Sequence, residues 1–173
     1  RVNTYTLAYQ RHSAVAAVGS GTFVVVWESQ QQDGSGYGVF GRMSVAGGPA
    51  PGEFRVNTYT ILDQKSAAVA ATGPGTFVVV WKGEFQDGSS YGVFGQRLMS
   101  PGSPIGGEFR VNTFTTGTQE EPAVAADGEG NFVVVWTSGD PPGTPDVVLG
   151  QRFNSGGSTV GSEFQVDSYT TGG

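Results

Sequence analysis

The sequence predicts an all-β chain of three four-stranded repeats of about 54 residues that resemble β-propeller blades, plus one spare edge strand. Three observations carry this expectation. The string Phe-Val-Val-Val-Trp ends at Trp27, Trp81 and Trp136, at spacings of 54 and 55 residues, and self-similarity at a fixed period of this size marks a repeat architecture. The frame holds elsewhere: Val15-Ala16-Ala17 recurs from Val69 and Val124, and Arg1-Val2-Asn3-Thr4 recurs from Arg55, from Arg110 and, degraded, as Gln165-Val166-Asp167-Ser168. With 29 Gly, 9 Pro and only 14% charged residues, the composition suits short strands joined by tight turns rather than helices.

The repeats run 1–54, 55–109 and 110–164, with a partial fourth-strand copy over 165–173. In the first, a small-residue strand at Val15 to Val18 meets a tight turn at Gly19-Ser20-Gly21, then a second strand from Thr22 to Glu28. Its unbroken apolarity predicts cover on both faces. A polar, Gly-rich link from Gln30 to Gly36 leads to a third strand, Tyr37 to Met43, and a Gly/Pro link leads to a fourth, Glu53 to Thr58. There Phe54, Val56 and Thr58 alternate with Arg55, Asn57 and Tyr59, as on a half-exposed rim. A small first strand can crowd near an axis, which favours a blade; a β-solenoid, with coils of roughly 20 to 30 residues, is the rival. Propellers typically have about 4 to 8 blades, so the spare fourth-strand copy predicts self-association. It could close a six-bladed ring across two chains, extend a filament by strand addition, or mark a longer run of repeats.

The formal charge is −6 and the basic residues are scattered singly, which excludes a phosphate-neutralising stripe and nucleic acid as a partner. With no cysteine there are no disulfides, thiolate metal sites or cysteine nucleophiles. Apolar runs such as Phe23 to Trp27 fall far short of the roughly 20 residues of a membrane helix, so no span is expected. The chain begins at Arg1 without a signal-peptide pattern, which reads as a processed product, a fragment or part of a longer chain.

Glu53-Phe54-Arg55-Val56-Asn57-Thr58, Phe77-Val78-Val79-Val80-Trp81 and the run from Gln86 to Arg97 (Gln-Asp-Gly-Ser-Ser-Tyr-Gly-Val-Phe-Gly-Gln-Arg) resemble the tandem repeats of very large secreted bacterial surface proteins. Such repeats are often found beside haemolysin-type calcium-binding and cadherin-like modules. The resemblance spans the chain and implies secretion, display at the cell surface and adhesion rather than a reaction. The glycine-rich nonapeptide of the haemolysin type is missing, so calcium does not carry over.

Asp33 and Asp87, each in an Asp-Gly-Ser turn, are the calcium candidates, since a carboxylate in a Gly-rich loop offers oxygen to a hard cation. One carboxylate per loop is too few, and turn chemistry alone explains Asp-Gly. Beyond this, no cofactor is expected. The tryptophans share the side-chain parity of Phe23 and Val25 and read as packing between blades. Tyr37 and Tyr91, beside glycines, are the better sugar-stacking candidates. Arg1, Arg55 and Arg110 read as rim charges, the latter two paired with Glu53 and Glu108. His12 lacks a nucleophile partner, and Glu120 and Glu121, adjacent in sequence before Pro122, are expected to diverge. The departures from repeat symmetry at Arg11-His12, Lys82 to Phe85 and Asp140 to Pro142 are read as connecting segments. They make His12, Lys82, Phe85 and Asp140 the candidate contact residues. The expected function is therefore non-enzymatic: adhesion, matrix or filament assembly through edges and loops. A glycan-binding propeller lectin is the alternative, and a propeller hydrolase the second.

Overall fold

The computed structural model describes residues 2–46, 48–50, 52–139 and 145–168, which form strands and turns. The first antiparallel unit comprises β1 (Gln10–Gly19), β2 (Thr22–Gln30), β3 (Tyr37–Val45) and an outer strand in two pieces, β4 (Gly48–Pro49) and β5 (Phe54–Arg55). The second comprises β6 (Gln64–Gly73), β7 (Thr76–Glu84), β8 (Tyr91–Met99) and β9 (Ser103–Arg110). The third comprises β10 (Thr118–Ala126), β11 (Phe132–Gly139), β12 (Val147–Phe153) and β13 (Thr159–Gln165). One parallel bridge, Thr118 to Tyr91, links the second and third units, and the sheets do not close on themselves. Among the described residues no helix is long and apolar enough to cross a membrane.

Packing follows the period-2 alternation of β-branched strands. On β2, Val24 and Val26 point toward the second unit and meet Phe77, Val79 and Trp81 of β7 in one core. From the other face of β7, Val78 and Val80 meet Phe132, Val134 and Trp136 of β11 in a second core. Each central strand is thus covered on both faces wherever it has two neighbouring units, and Phe77 and Phe132 are 0% and 3% exposed. Phe23, at the same position on the first unit, is 44% exposed, because its face has no unit against it. The tryptophans are packing residues, buried in all three units.

Small residues on the inner strands allow β1, β6 and β10 to lie side by side, and the glycine of Val-Phe-Gly in the third strand of the first two units, Val-Leu-Gly in the third, has a specific cause. A Cβ on Gly41, Gly95 or Gly150 would sit 2.6, 2.7 or 2.8 Å from the ring of Phe54, Phe109 or Phe164 on the outer strand. The aromatic fills the space the glycine leaves.

The outer strand differs from its expected form. In the second and third units it starts in the Gly/Pro/Ser link itself, at Ser103 and Thr159. The bulges opposite Gln96 and Gln151 make this possible: Gln96 Nε2 donates to Arg97 O and Gly106 O, and Gln151 Nε2 to Arg152 O and Gly161 O. In the first unit Arg42 replaces that glutamine and donates to Ala50 O, and the strand is broken. Asn57, expected on a half-exposed rim, is buried, as is Asn112, because their amides bond Val39 N and Gln64, and Val93 N and Gln119. The copy of the motif without a unit of its own is the first: residues 2–9 form no strand, whereas Val166 and Asp167 extend the third unit, with Val166 N donating to Val148 O and Val148 N to Asp167 Oδ1.

Candidate functional site

Each inner strand carries a β-bulge where its register with the second strand slips, between Arg11 and Ala14, Lys65 and Ala68, and Glu120 and Ala123. The bulge residues His12, Ser66 and Glu121 have φ of 48°, 54° and 50°, an arrangement that re-aims side chains. These bulges gather the charged residues that break the repeat symmetry, so Arg11 and His12, and Lys82 to Glu84, lie in β1 and β7 rather than in connecting segments.

At the first junction Glu28 is 0% exposed. Its Oε1 lies 2.9 Å from His12 Nδ1 and accepts from Ser66 N at 2.6 Å, and its Oε2 accepts from Arg11 Nε at 3.2 Å. Three donors thus offset the desolvation of a buried carboxylate. The Arg11 guanidinium stands 4.1 Å from the centre of the Tyr37 ring and Lys65 Nζ 5.0 Å from it. Lys65 pairs with Asp63, whose Oδ1 also accepts from Tyr37 N at 2.9 Å. Burial lowers the Lys65 pKa, but the bond to Asp63 and its charge outweigh burial and hold it above the ordinary value.

At the second junction Lys82 reaches Glu120 at 3.2 Å and Glu121 at 3.9 Å and lies 4.9 Å from the Tyr91 ring. The two glutamates therefore converge, because the bulge at Glu121 turns its side chain toward the side Glu120 faces. Burial, with the nearby charge of Glu84, pushes the Tyr91 phenol up. Ser66 Oγ lies 3.5 Å from Glu121 Oε1, so Ser66 is flanked by Glu28 and Glu121.

The structure thus brings His12, Tyr37, Lys82 and Tyr91 to one row along the unit junctions. Phe85 stands apart, 56% exposed with φ 52° in the turn before β8, and Asp140 lies outside the described residues. The oxygens of Asp33 and Asp87 are engaged locally. Asp33 accepts from Ser35 N and Asn57 Nδ2, and Asp87 from Ser89 N and Asn112 Nδ2. A Cβ on Gly38 or Gly92 would strike those carboxylates at 2.3 and 2.4 Å. Among the described residues no group of three or more acidic, His or Cys side chains is placed to hold a metal ion. The sequence reading passed over Glu28, Lys65 and Asp63. The signal for Glu28 was the residue after each tryptophan, which changes from Glu28 to Lys82 to Thr137 while the Phe-Val-Val-Val-Trp before it repeats.

The rim arginines are not paired as expected: among the described residues neither Arg55 nor Arg110 has an ion pair, and Glu53 and Glu108 serve another purpose. Glu53 accepts from the backbone N–H of Thr4, from Thr4 Oγ1 at 2.8 Å and from Gln32 Nε2 at 2.9 Å. Glu108 accepts from Thr58 N at 2.6 Å and Thr58 Oγ1 at 2.9 Å, and Glu163 from Thr113 N. The residues before Thr58 and Thr113 are held by the preceding unit: Asn57 Oδ1 accepts from Val39 N at 2.8 Å, and Asn112 Oδ1 from Val93 N at 2.7 Å.

Two open concavities lie on the outer faces of the array. One, of about 250 Å³, is lined by Asn3, Arg11, His12, Val25 and Trp27 on the first unit. The other, of about 610 Å³, is lined by Ala125, Asp127, Val133, Arg152 and Val160 on the third.

No family model matches the sequence, and no curated protein matches it. Among solved structures the chain is similar to an endo-arabinase from Bacteroides thetaiotaomicron VPI-5482, with a TM-score of 0.52 and 13% identity over 87% of this chain and 60% of that one. The chain therefore spans less than two thirds of the length of the structure it matches. The likeness extends to the fold, which is all-β and β-propeller-like.

Proposed function

We propose that this chain is a β-repeat module that works by assembly and adhesion through its outer blade faces and edges, at the surface of a cell. The observation that carries this reading is that the two outer faces are the two halves of the interface used inside the molecule. The first unit presents Phe23 and the half-buried Val25, whose counterparts Phe77 and Val79 are buried at the first junction. The third unit presents Val133 and Val135, the counterparts of the buried Val78 and Val80. Apolar sheet faces of this kind favour association. The likeness to repeats of secreted bacterial surface proteins supports the cellular location. Sedimentation equilibrium of the chain and of Phe23→Asp tests the reading. The expected result is association that the aspartate abolishes; an unassociated chain with either residue overturns it.

A second reading, a carbohydrate-binding or carbohydrate-cleaving propeller segment, is favoured by the endo-arabinase likeness. On the junction row the carboxylate open to a substrate is that of Glu121, 71% exposed, since Glu28 is buried and held by three donors. Incubation with arabinan and a panel of other polysaccharides tests it. Release of reducing ends that is lost in Glu121→Gln would establish this reading, and neither binding nor turnover on any of them would remove it.

A further inference from the structure

We infer that copies of this chain join head to tail by exchanging a segment, with Ser168 of one copy taking the place of Thr4 on Glu53 of the partner subunit. The inference rests on the assembly reading above and names its joint. Inside the molecule every connection between units is held from both sides. At the first junction Asn57 is bound by the unit before it, through Val39 N and Asp33, and Thr58 by the unit after it, through Glu108. At the second, Asn112 is bound through Val93 N and Asp87, and Thr113 through Glu163.

The outermost copies of the motif each have one half of this arrangement. Thr4 is clasped by Glu53, and Asn3 Nδ2 donates to Tyr5 O and to Gln10 Oε1 as Asn57 does to Tyr59 O and Gln64 Oε1. Among the described residues, however, Asn3 Oδ1 has no strand N–H to accept. Asp167 has that N–H, from Val148 at 3.1 Å, whereas Ser168 has no carboxylate among the described residues. The two halves complete each other, and a unit stacked on the third sheet brings its own Glu53 to Ser168. Since Val166 and Asp167 already occupy the site on β12, residues 2–4 of the arriving copy must leave. Exchange follows from the geometry of the joint.

The faces agree with this register. Phe54 packs on Phe77 with ring centres 6.2 Å apart, and Phe109 on Phe132 at 6.3 Å. The next pair in the series is Phe164 with Phe23 of the partner subunit, and Phe23 is free to receive it. Arg97 crosses the second junction to donate to Ser155 O at 2.7 Å and to Gly156 O; its counterpart Arg152 stands on the outer face of the third unit. Such a contact is heterologous, so it generates a ring or a filament.

The chain has no cysteine of its own, so the joint can be read by mixing two single-cysteine variants of the full chain, Ser168→Cys and Gln32→Cys, with a short bismaleimide. Gln32 is the residue beside Thr4 on Glu53. A covalent heterodimer in the mixture, well above any link in either variant alone, is the expected result. Two further variants keep the test independent of the cysteines. Thr4→Val removes the hydroxyl that competes for Glu53 and should tighten association by about tenfold, whereas Ser168→Ala should weaken it by a similar factor, the scale of a hydroxyl bond to a carboxylate. Association without the cross-link, or shifted the same way by both variants, overturns the exchange and leaves the assembly reading standing. A chain that stays single at all concentrations overturns both.

Discussion

At the scale of single residues, buried polar groups are held by specific partners. Asn57 is fully engaged, so Asn57→Ala strands the buried N–H of Val39 and should cost about 1–3 kcal/mol in chemical denaturation. Asn3→Ala, with no such strand N–H among the described residues, should cost clearly less. Trp81 is completely buried between two units, and Trp81→Ala should cost about 3–5 kcal/mol by the same measurement. Glu53 supplies the pH dependence. Burial raises its pKa, but the Thr4 and Gln32 bonds and the charge of Arg42 outweigh it, and the carboxyl sits below its ordinary value of 4.5. A depressed carboxyl contributes stability that is present above the unfolded value and is lost as pH falls through the folded one. The Thr4 clasp should therefore loosen on acidification below about pH 4.5 and not between neutral pH and 5. Amide exchange at Thr4 through an acid titration reads this directly.

At the scale of elements, much of the fold was legible because the repeat printed it three times. The second and third strands, the hairpin after each small-residue strand and the doubly covered run from Phe77 to Trp81 follow from apolar runs and Gly turns, whereas the cover expected over Phe23 is missing because no second unit packs there. Three features were not legible, each for a physical reason. The bulges at His12, Ser66 and Glu121 occupy positive φ without glycine, so no residue type announces them. The outer strands begin in Gly/Pro/Ser sequence because Gln96 and Gln151 hold their bulges through backbone carbonyls, a non-local cause. The Glu53 and Glu108 clasps reach about 50 residues back, and a nearby arginine on the same strand was the more obvious partner in sequence. The candidate row was visible only in half. His12 and Lys82 stood out as breaks in the repeat, whereas Glu28 and Lys65 took their meaning from the neighbouring strand. The Gly-Phe pairing gives an element-level prediction. Gly95→Ala would put a Cβ 2.7 Å from the Phe109 ring and displace β9, so its thermal midpoint should fall, and Phe109→Leu in the same chain should recover part of the loss.

At the scale of the whole molecule, the same interface recurs at both internal junctions and is left half-made on each outer face. Phe23 at 44% exposure against 0% for Phe77 is the clearest expression of that. The measurement that tests this most directly is the mass of the full chain in solution by light scattering, across a wide concentration range. The expected mass rises with concentration, to a fixed multiple of the chain if the stack closes into a ring or without limit if it forms a filament. A mass that stays at 17.9 kDa throughout contradicts it.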